Sequence, residues 1–255
     1  MAESLELRVH RNLIGVYALM AERMENEGDA LLAAMGSEMP FLNTVLRKGP
    51  GGDAAALIQR ARGFFFSMGR GFVVYTWPGD PDLGVAAEQA GLTPVNERYP
   101  EMVCTSRLAP LPGAIEPVDD VQSATEYWAI CDEAYPSLGF PPGLFQSTFS
   151  PRDLLERDGV EACIARDGGR GLACAQVIVL DGVGFVGWVA AVPEARGRGL
   201  AAACTVWATN RTFELGADVA SLQASKMGES LYRRLGYEEL FSYRLMGATP
   251  PAPAD

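Results

Sequence analysis

Apolar residues recur at two different periods along this chain, and the switches between them mark out its elements. From Leu5 to Glu27 they return every three or four residues, which predicts one long helix. Phe41–Leu46 reads as a strand, Asp53–Met68 as a helix with Asp53 as its N-cap, and Phe72–Trp77 as a strand. Leu83–Ala90 reads as a short helix and Glu101–Arg107 as another strand. A second series then begins. Val121, Ala124, Tyr127, Trp128 and Cys131 form a helical stripe within Asp119–Tyr135, and Ser150–Leu155 starts a further short helix. Glu161–Arg166, Leu172–Leu180 and Gly184–Val192 read as strands, joined by the hairpin turns Asp167-Gly168-Gly169 and Asp181-Gly182. An Ala-rich helix over Leu200–Leu215 closes at Gly216. Val219–Gln223 is a strand, Glu229–Leu235 a short helix capped by Gly236, and Leu240–Met246 a last strand.

This order predicts an α+β fold, with helices covering a mixed, mostly antiparallel sheet. Ala109-Pro110-Leu111-Pro112-Gly113 has the composition of a linker, so we divide the chain into residues 1–110, 114–247 and a Pro/Ala-rich, frayed tail, 248–255. The two halves share an order of elements. In each, a glycine-rich turn separates a strand from a helix, and a short helix ends in Gly91-Leu92 or Gly236-Tyr237.

Charge and cysteine usage narrow the chemistry. The net charge is −11, split as −3 over residues 1–110 and −8 over the rest. That disfavours nucleic acid, which demands clustered Lys and Arg, and suits an amine substrate. Cys104, Cys131, Cys163, Cys174 and Cys204 are odd in number and lack CxxC spacing, which predicts neither disulfides nor zinc and points to a reducing, cytoplasmic setting. With His10 the only histidine, triads and multi-histidine metal sites are excluded, and a surface or packing role is expected for it. The N-terminal residues lack the pattern of a signal peptide, and no run of about 20 apolar residues predicts a membrane span.

The chemistry concentrates at Val192-Pro193-Glu194-Ala195-Arg196-Gly197-Arg198-Gly199-Leu200-Ala201, between a strand and a helix. Glycines let the backbone turn its N–H groups onto a ligand, and the helix starting at Leu200 adds the positive end of its dipole. Together they form a site for a phosphate group, with Arg196 and Arg198 at its mouth. Pro193 cannot donate to a ladder, so we expect the strand to end there and splay from its neighbour, exposing backbone groups to an extended amide ligand. About thirty residues on stands Tyr232-Arg233-Arg234-Leu235-Gly236-Tyr237. A phenol there is a competent hydrogen-bond donor to a departing thiolate.

With these residues in place, the sequence resembles the GCN5-related N-acetyltransferase superfamily. Arg196, Gly199 and Ala201 match its Arg/Gln-x-x-Gly-x-Gly/Ala signature, and Tyr232, Gly236 and Tyr237 match its later Tyr-x-x-x-Gly-Phe/Tyr element. The resemblance covers residues 114–246, and the first half looks like a degenerate copy, as in two-lobed members. Its turn, Arg47-Lys48-Gly49-Pro50-Gly51-Gly52, lacks the signature spacing, which implies one acetyl-coenzyme A per chain. The resemblance further implies that Val189, Ala190, Ala191 and Val192 pair with the pantetheine arm. Backbone N–H groups of Gly197, Arg198, Gly199, Leu200 and Ala201, with the Arg196 side chain, would hold the pyrophosphate. Tyr232 would serve as the acid, and Ser225 would replace an Asn contact to the cofactor. The strand carries no carboxylate for a base, which leaves Asp132 and Glu133; Trp188 and the segment Tyr135–Phe140 would shape an acceptor pocket. The implied reaction is acetyl transfer, without a metal, to a primary amine of a small molecule or peptide, by a soluble enzyme that could act as a homodimer. A non-catalytic coenzyme A sensor, and a hydroxyl or thiol acceptor, are the rival readings.

Overall fold

The computed structural model describes residues 3–26 and 28–251. The chain divides into two compact units, one of Met1–Glu101 with Glu239–Asp255, the other of Met102–Glu238. This differs from the expected boundary near residue 110. The last strand returns to the first unit because it pairs there, Arg244 to Ala248 lying antiparallel to Phe72–Thr76. The tail beyond Pro251 lies outside the described residues.

In the first unit, helix α1 (Leu5–Met20) stops well before Glu27, itself outside the described residues. A short strand β1 (Arg23–Glu25) takes its place, paired with β2 (Ala30–Ala34), which the periodicity did not reveal. All five β2 residues are buried, so the strand has no polar side to alternate with. β3 (Asn43–Arg47), α2 (Ala54–Phe66), β4 (Phe72–Thr76), α3 (Pro81–Gln89) and β5 (Thr93–Cys104) follow. β3 and β4 are parallel, with α2 as their crossover. The core packs α2 and α3 against one face of β2, β3 and β4.

The second unit opens with β6 (Ala114–Pro117), which the linker composition concealed. Helices α4 (Val121–Ala134), α5 (Leu144–Thr148) and α6 (Arg152–Leu155) precede an antiparallel meander. It consists of β7 (Val160–Asp167), β8 (Arg170–Leu180) and β9 (Val183–Ala191). Then come α7 (Leu200–Glu214), β10 (Val219–Gln223) and α8 (Glu229–Leu235); β11 (Glu238–Ala248) is the strand that returns to the first unit. β10 is parallel to β9, so strand, glycine turn, crossover helix and parallel strand occur in both units. The sheet is otherwise antiparallel in each paired neighbour described, and the architecture is the α+β arrangement expected. α7 lies directly on β9: a Cβ on Gly184 would come within 2.3 Å of Thr212 Oγ1. No described helix is long and apolar enough to cross a membrane.

Candidate active site

β9 is the strand around which the second unit's site is built. It pairs with β10 only over Val183, Ala220's partner Gly184, and Phe185, which faces Ser221. Beyond Phe185 the two strands part, so the divergence begins well before Pro193. The proline has a different effect from the one expected: it ends the ladder with β8, whose last bond runs from Val192 N to Leu172 O at 3.0 Å. The local cause of the irregularity is a bulge. Cys174 pairs with Ala190 and Gln176 with Gly187, so β9 spends one residue more than β8 between those pairs. Trp188 sits there at φ 46°, a left-handed conformation that costs a bulky residue about 1–2 kcal/mol.

α4 holds this bulge from one face. Tyr127 Oη donates to Trp188 O at 3.2 Å, and the thiols of Cys131 and Cys174 approach the same carbonyl at 3.9 Å. Tyr135 Oη donates to Val189 O at 3.3 Å. The Trp188 ring packs among Tyr135, Phe145 and Phe149. Residue patterns did not single out these hydroxyls, because Tyr127 reads simply as part of the apolar stripe of α4. Gly187, a glycine inside a strand, was the available sign of a bulge.

The glycine turn carries a second set of unpaired groups. Gly197 and Gly199 adopt φ 76° and 82°, which other residues rarely reach, and α7 starts at Leu200 with no side-chain cap. The N–H groups of Gly197, Gly199, Leu200, Ala201 and Ala202 have no acceptor among the described residues. They converge at the positive end of a fifteen-residue helix. The arginines, however, point to protein partners. Arg196 donates to Ala134 O at 3.2 Å and Ser137 Oγ at 2.8 Å, and Arg198 pairs with Asp167. Arg196 therefore ties the turn to the C-terminal end of α4, whose negative dipole end attracts a guanidinium.

The first unit's equivalent turn is occupied by its own chain. Asp53 Oδ1 accepts from Ala56 N at 2.9 Å at the start of α2, and Arg47 Nη2 donates to Gly52 O at 3.0 Å. A carboxylate already stands where an anion would bind.

Tyr232 lies in α8, 8% exposed, and packs against Tyr237. Burial pushes its pKa up to about 12, so the phenol keeps its proton. Ser225 Oγ accepts from Gly228 N at 3.1 Å, forming the turn that leads into α8. Asp132 accepts from Phe145 N and Gln146 N and so fastens α5, while Glu133 pairs with Arg170, which also binds Glu194. Both carboxylates are thus engaged with donors of the protein itself. On the α4 face of the sheet, Gln176 and Ser221 are each 1% exposed, and Gln176 Nε2 and Ser221 Oγ lack partners among the described residues.

A parallel pair parting beside a bulged strand, with a crossover helix whose N-terminus is bare, decides the fold. This is the fold of the GCN5-related N-acetyltransferases. The chain is similar to a GCN5-related N-acetyltransferase from Kribbella flavida, with 22% identity, 98% of each chain covered and a TM-score of 0.76. A GCN5-related N-acetyltransferase from Sphaerobacter thermophilus matches at 18% identity over 96% of this chain and 87% of that one, TM-score 0.64. A tandem GNAT protein from the clavulanic acid biosynthesis pathway matches at 12% identity over 97% and 89%, TM-score 0.61. The sequence matches no family model and no curated protein at a significant level, so the likeness to these N-acetyltransferases is one of three-dimensional fold. It extends over both units, in keeping with the tandem arrangement read from the sequence.

Proposed function

We propose that the second unit is an acetyl-coenzyme A-dependent N-acetyltransferase acting on a primary amine of a small molecule or peptide. The observation that carries this reading is the set of unpaired N–H groups of Gly197, Gly199, Leu200, Ala201 and Ala202, next to a strand edge left open by the parting of β9 and β10. The first group suits a pyrophosphate and the second an extended amide chain, and coenzyme A carries both. The Arg196 guanidinium supports the turn from behind, and Ser225 shapes the entry to α8.

An acyl thioester supplies a carbon that an uncharged amine attacks, forming C–N, breaking C–S and releasing a thiolate. Tyr232 stands ready as a donor to that sulfur. With its pKa near 12 against about 8.5 for a thiol, it stabilises the thiolate by a hydrogen bond without giving up its proton. The proton balancing the thiolate then comes from the attacking nitrogen, which must lose one to become an amide. Asp132 and Glu133 are held elsewhere, so that proton leaves through water.

Calorimetric titration with acetyl-coenzyme A, followed by thiol release against a panel of amines, amino acids and aminoglycosides, tests the reading. Tyr232→Phe should lower turnover roughly a hundredfold while leaving affinity for acetyl-coenzyme A intact. The rate of the native enzyme should climb through the alkaline range as the amine loses its proton, with no downturn from Tyr232. Binding without thiol release for any amine, hydroxyl or thiol acceptor would favour a coenzyme A sensor, and absence of binding would refute both.

A further inference from the structure

Three buried polar side chains of the second unit have no structural use. Gln176 on β8 and Ser221 on β10 are each 1% exposed, and their Nε2 and Oγ atoms lack a partner among the described residues. Gln223 Nε2, two residues further along β10, is a third such atom. The neighbours Ala175, Val177, Ala220, Leu222 and Ala224 pack into the core that α7 covers, so strand alternation turns all three polar side chains to the α4 face. Buried polar groups in folded chains are nearly always satisfied, and three unsatisfied ones in a row call for a ligand.

Register gathers them around one residue. Gln176 lies opposite Gly187, and Ser221 opposite Phe185. Two residues past Ser221, Gln223 is level with Gly187 across the opening gap between β10 and β9. The two carboxamides thus flank the one position in the row that has no side chain. A Cβ placed on Gly187 would lie 3.6 Å from Gln176 Nε2 and 2.7 Å from Phe185 Cε1. The half-buried Phe185 ring therefore leans over the glycine, beside the amide. A ring offers an N–H group only a weak contact, so it is a cover that a stronger acceptor displaces.

The chemistry of the row defines what it takes. Each unpaired group can donate a hydrogen bond, and none carries a formal charge. A carboxylate brought here would lose its hydration without gaining a cation from the row. A neutral carbonyl loses less and is matched by the N–H and O–H groups. We propose that Gln176, Ser221 and Gln223 set the acceptor specificity of the second unit by receiving a neutral amide carbonyl borne by the amine, with Phe185 as the cover that moves aside. The proposal rests on the second unit being an acetyl-coenzyme A-dependent N-acetyltransferase. Its acceptor is then an amino-acid amide or the end of a peptide, in preference to a free amino acid or a bare alkylamine.

The test uses the whole chain and thiol release from acetyl-coenzyme A. The acceptors are amino-acid amides, the matching free amino acids and the matching alkylamines, with rates expressed per uncharged amine. The native chain should favour the amides about tenfold or more in kcat/KM. Gln176→Met and Gln223→Met keep the length of the side chain and remove the donor. Each should raise KM for the amides about tenfold, with kcat and the alkylamine rates within about threefold of native. Affinity for acetyl-coenzyme A, read by calorimetry, should not change. Ser221→Ala, which removes a single oxygen and is the mildest change to the fold, should act in the same direction. A native chain that acetylates free amino acids or alkylamines as well as amides would overturn the proposal, and so would variants that keep the full preference. Weaker binding of acetyl-coenzyme A in the variants would assign the donors to the amides of its pantetheine arm and overturn it too. So would a native chain that binds acetyl-coenzyme A and acetylates no amide. These failures leave the reading of the cofactor site standing. That reading falls only if the native chain does not bind acetyl-coenzyme A, and the inference then falls with it.

Discussion

A buried amide without a partner costs about 1–3 kcal/mol, and Gln176 Nε2 is such a group. Gln176 lies opposite Gly187, at the edge of the bulged stretch, on the face that α4 covers. A chain selected only for stability would place Leu here. We therefore expect Gln176→Leu to raise the melting temperature by a few degrees, from a gain of about 1 kcal/mol, and to weaken use of the amine acceptor. Thermal melts beside acceptor KM values decide the matter: a variant both more stable and fully active would mean that Gln176 has no part in acceptor recognition. Residues such as this were invisible in the sequence. Gln176 interrupts an apolar run, which reads as an edge or a surface position until the register places it inside. The turn at Gly197 and Gly199 was legible because the spacing of such glycines is tied to local conformation. The intramolecular partners of Arg196 and Ser225 were not, since spacing cannot say which atoms a side chain meets within its own chain.

At the level of elements, the two glycine turns form a natural comparison. That of the second unit leaves the start of α7 bare, and that of the first closes the start of α2 with Asp53. Gly199→Ala meets no atom within 4 Å, so its effect is purely one of backbone conformation. It should cost about 1–2 kcal/mol and reduce acetyl-coenzyme A affinity tenfold or more, read by calorimetry. Asp53→Ala should cost a similar about 0.5–2 kcal/mol of stability and leave that affinity unchanged. An equal loss of affinity in both variants would place an anion site in the first unit as well. Apart from α5, which no periodicity announced, the helices and hairpins of the second unit could be read from periodicity and turn residues almost to their ends. β2 and β6 could not, the first because it is buried on both faces and the second because it is four residues of mixed character next to a proline-rich stretch. The bulge in β9 had only Gly187 to announce it, and the parting of β9 from β10 had no marker at all, because register is a property of two strands together.

At the level of the whole molecule, the only histidine ties the first unit together. His10 Nε2 donates to Arg47 O at 2.6 Å, Nδ1 accepts from Tyr243 Oη at 2.8 Å, and the ring stacks on Trp77. Both nitrogens are thus committed to the neutral tautomer. Burial lowers its pKa from 6.5 to about 4. The unfolded chain then binds the proton more readily than the native one, so stability is full above pH 6.5 and declines as pH falls toward about 4, by on the order of 3 kcal/mol. Melting curves between pH 7 and pH 5 should show this slope, and His10→Gln should flatten it; an unchanged slope would exclude His10 as its source. One of the two partners of His10, Tyr243, belongs to β11, which is also the partner of β4. The first unit is begun by residues that precede the second unit and finished by a strand that follows it. During synthesis it must wait for the entire second unit to emerge from the ribosome, with the edge of β4 unpaired and a natural client for chaperones. No cut of the gene at the apparent linker yields a complete first unit, so the two copies of this fold are bound to be inherited, expressed and lost together.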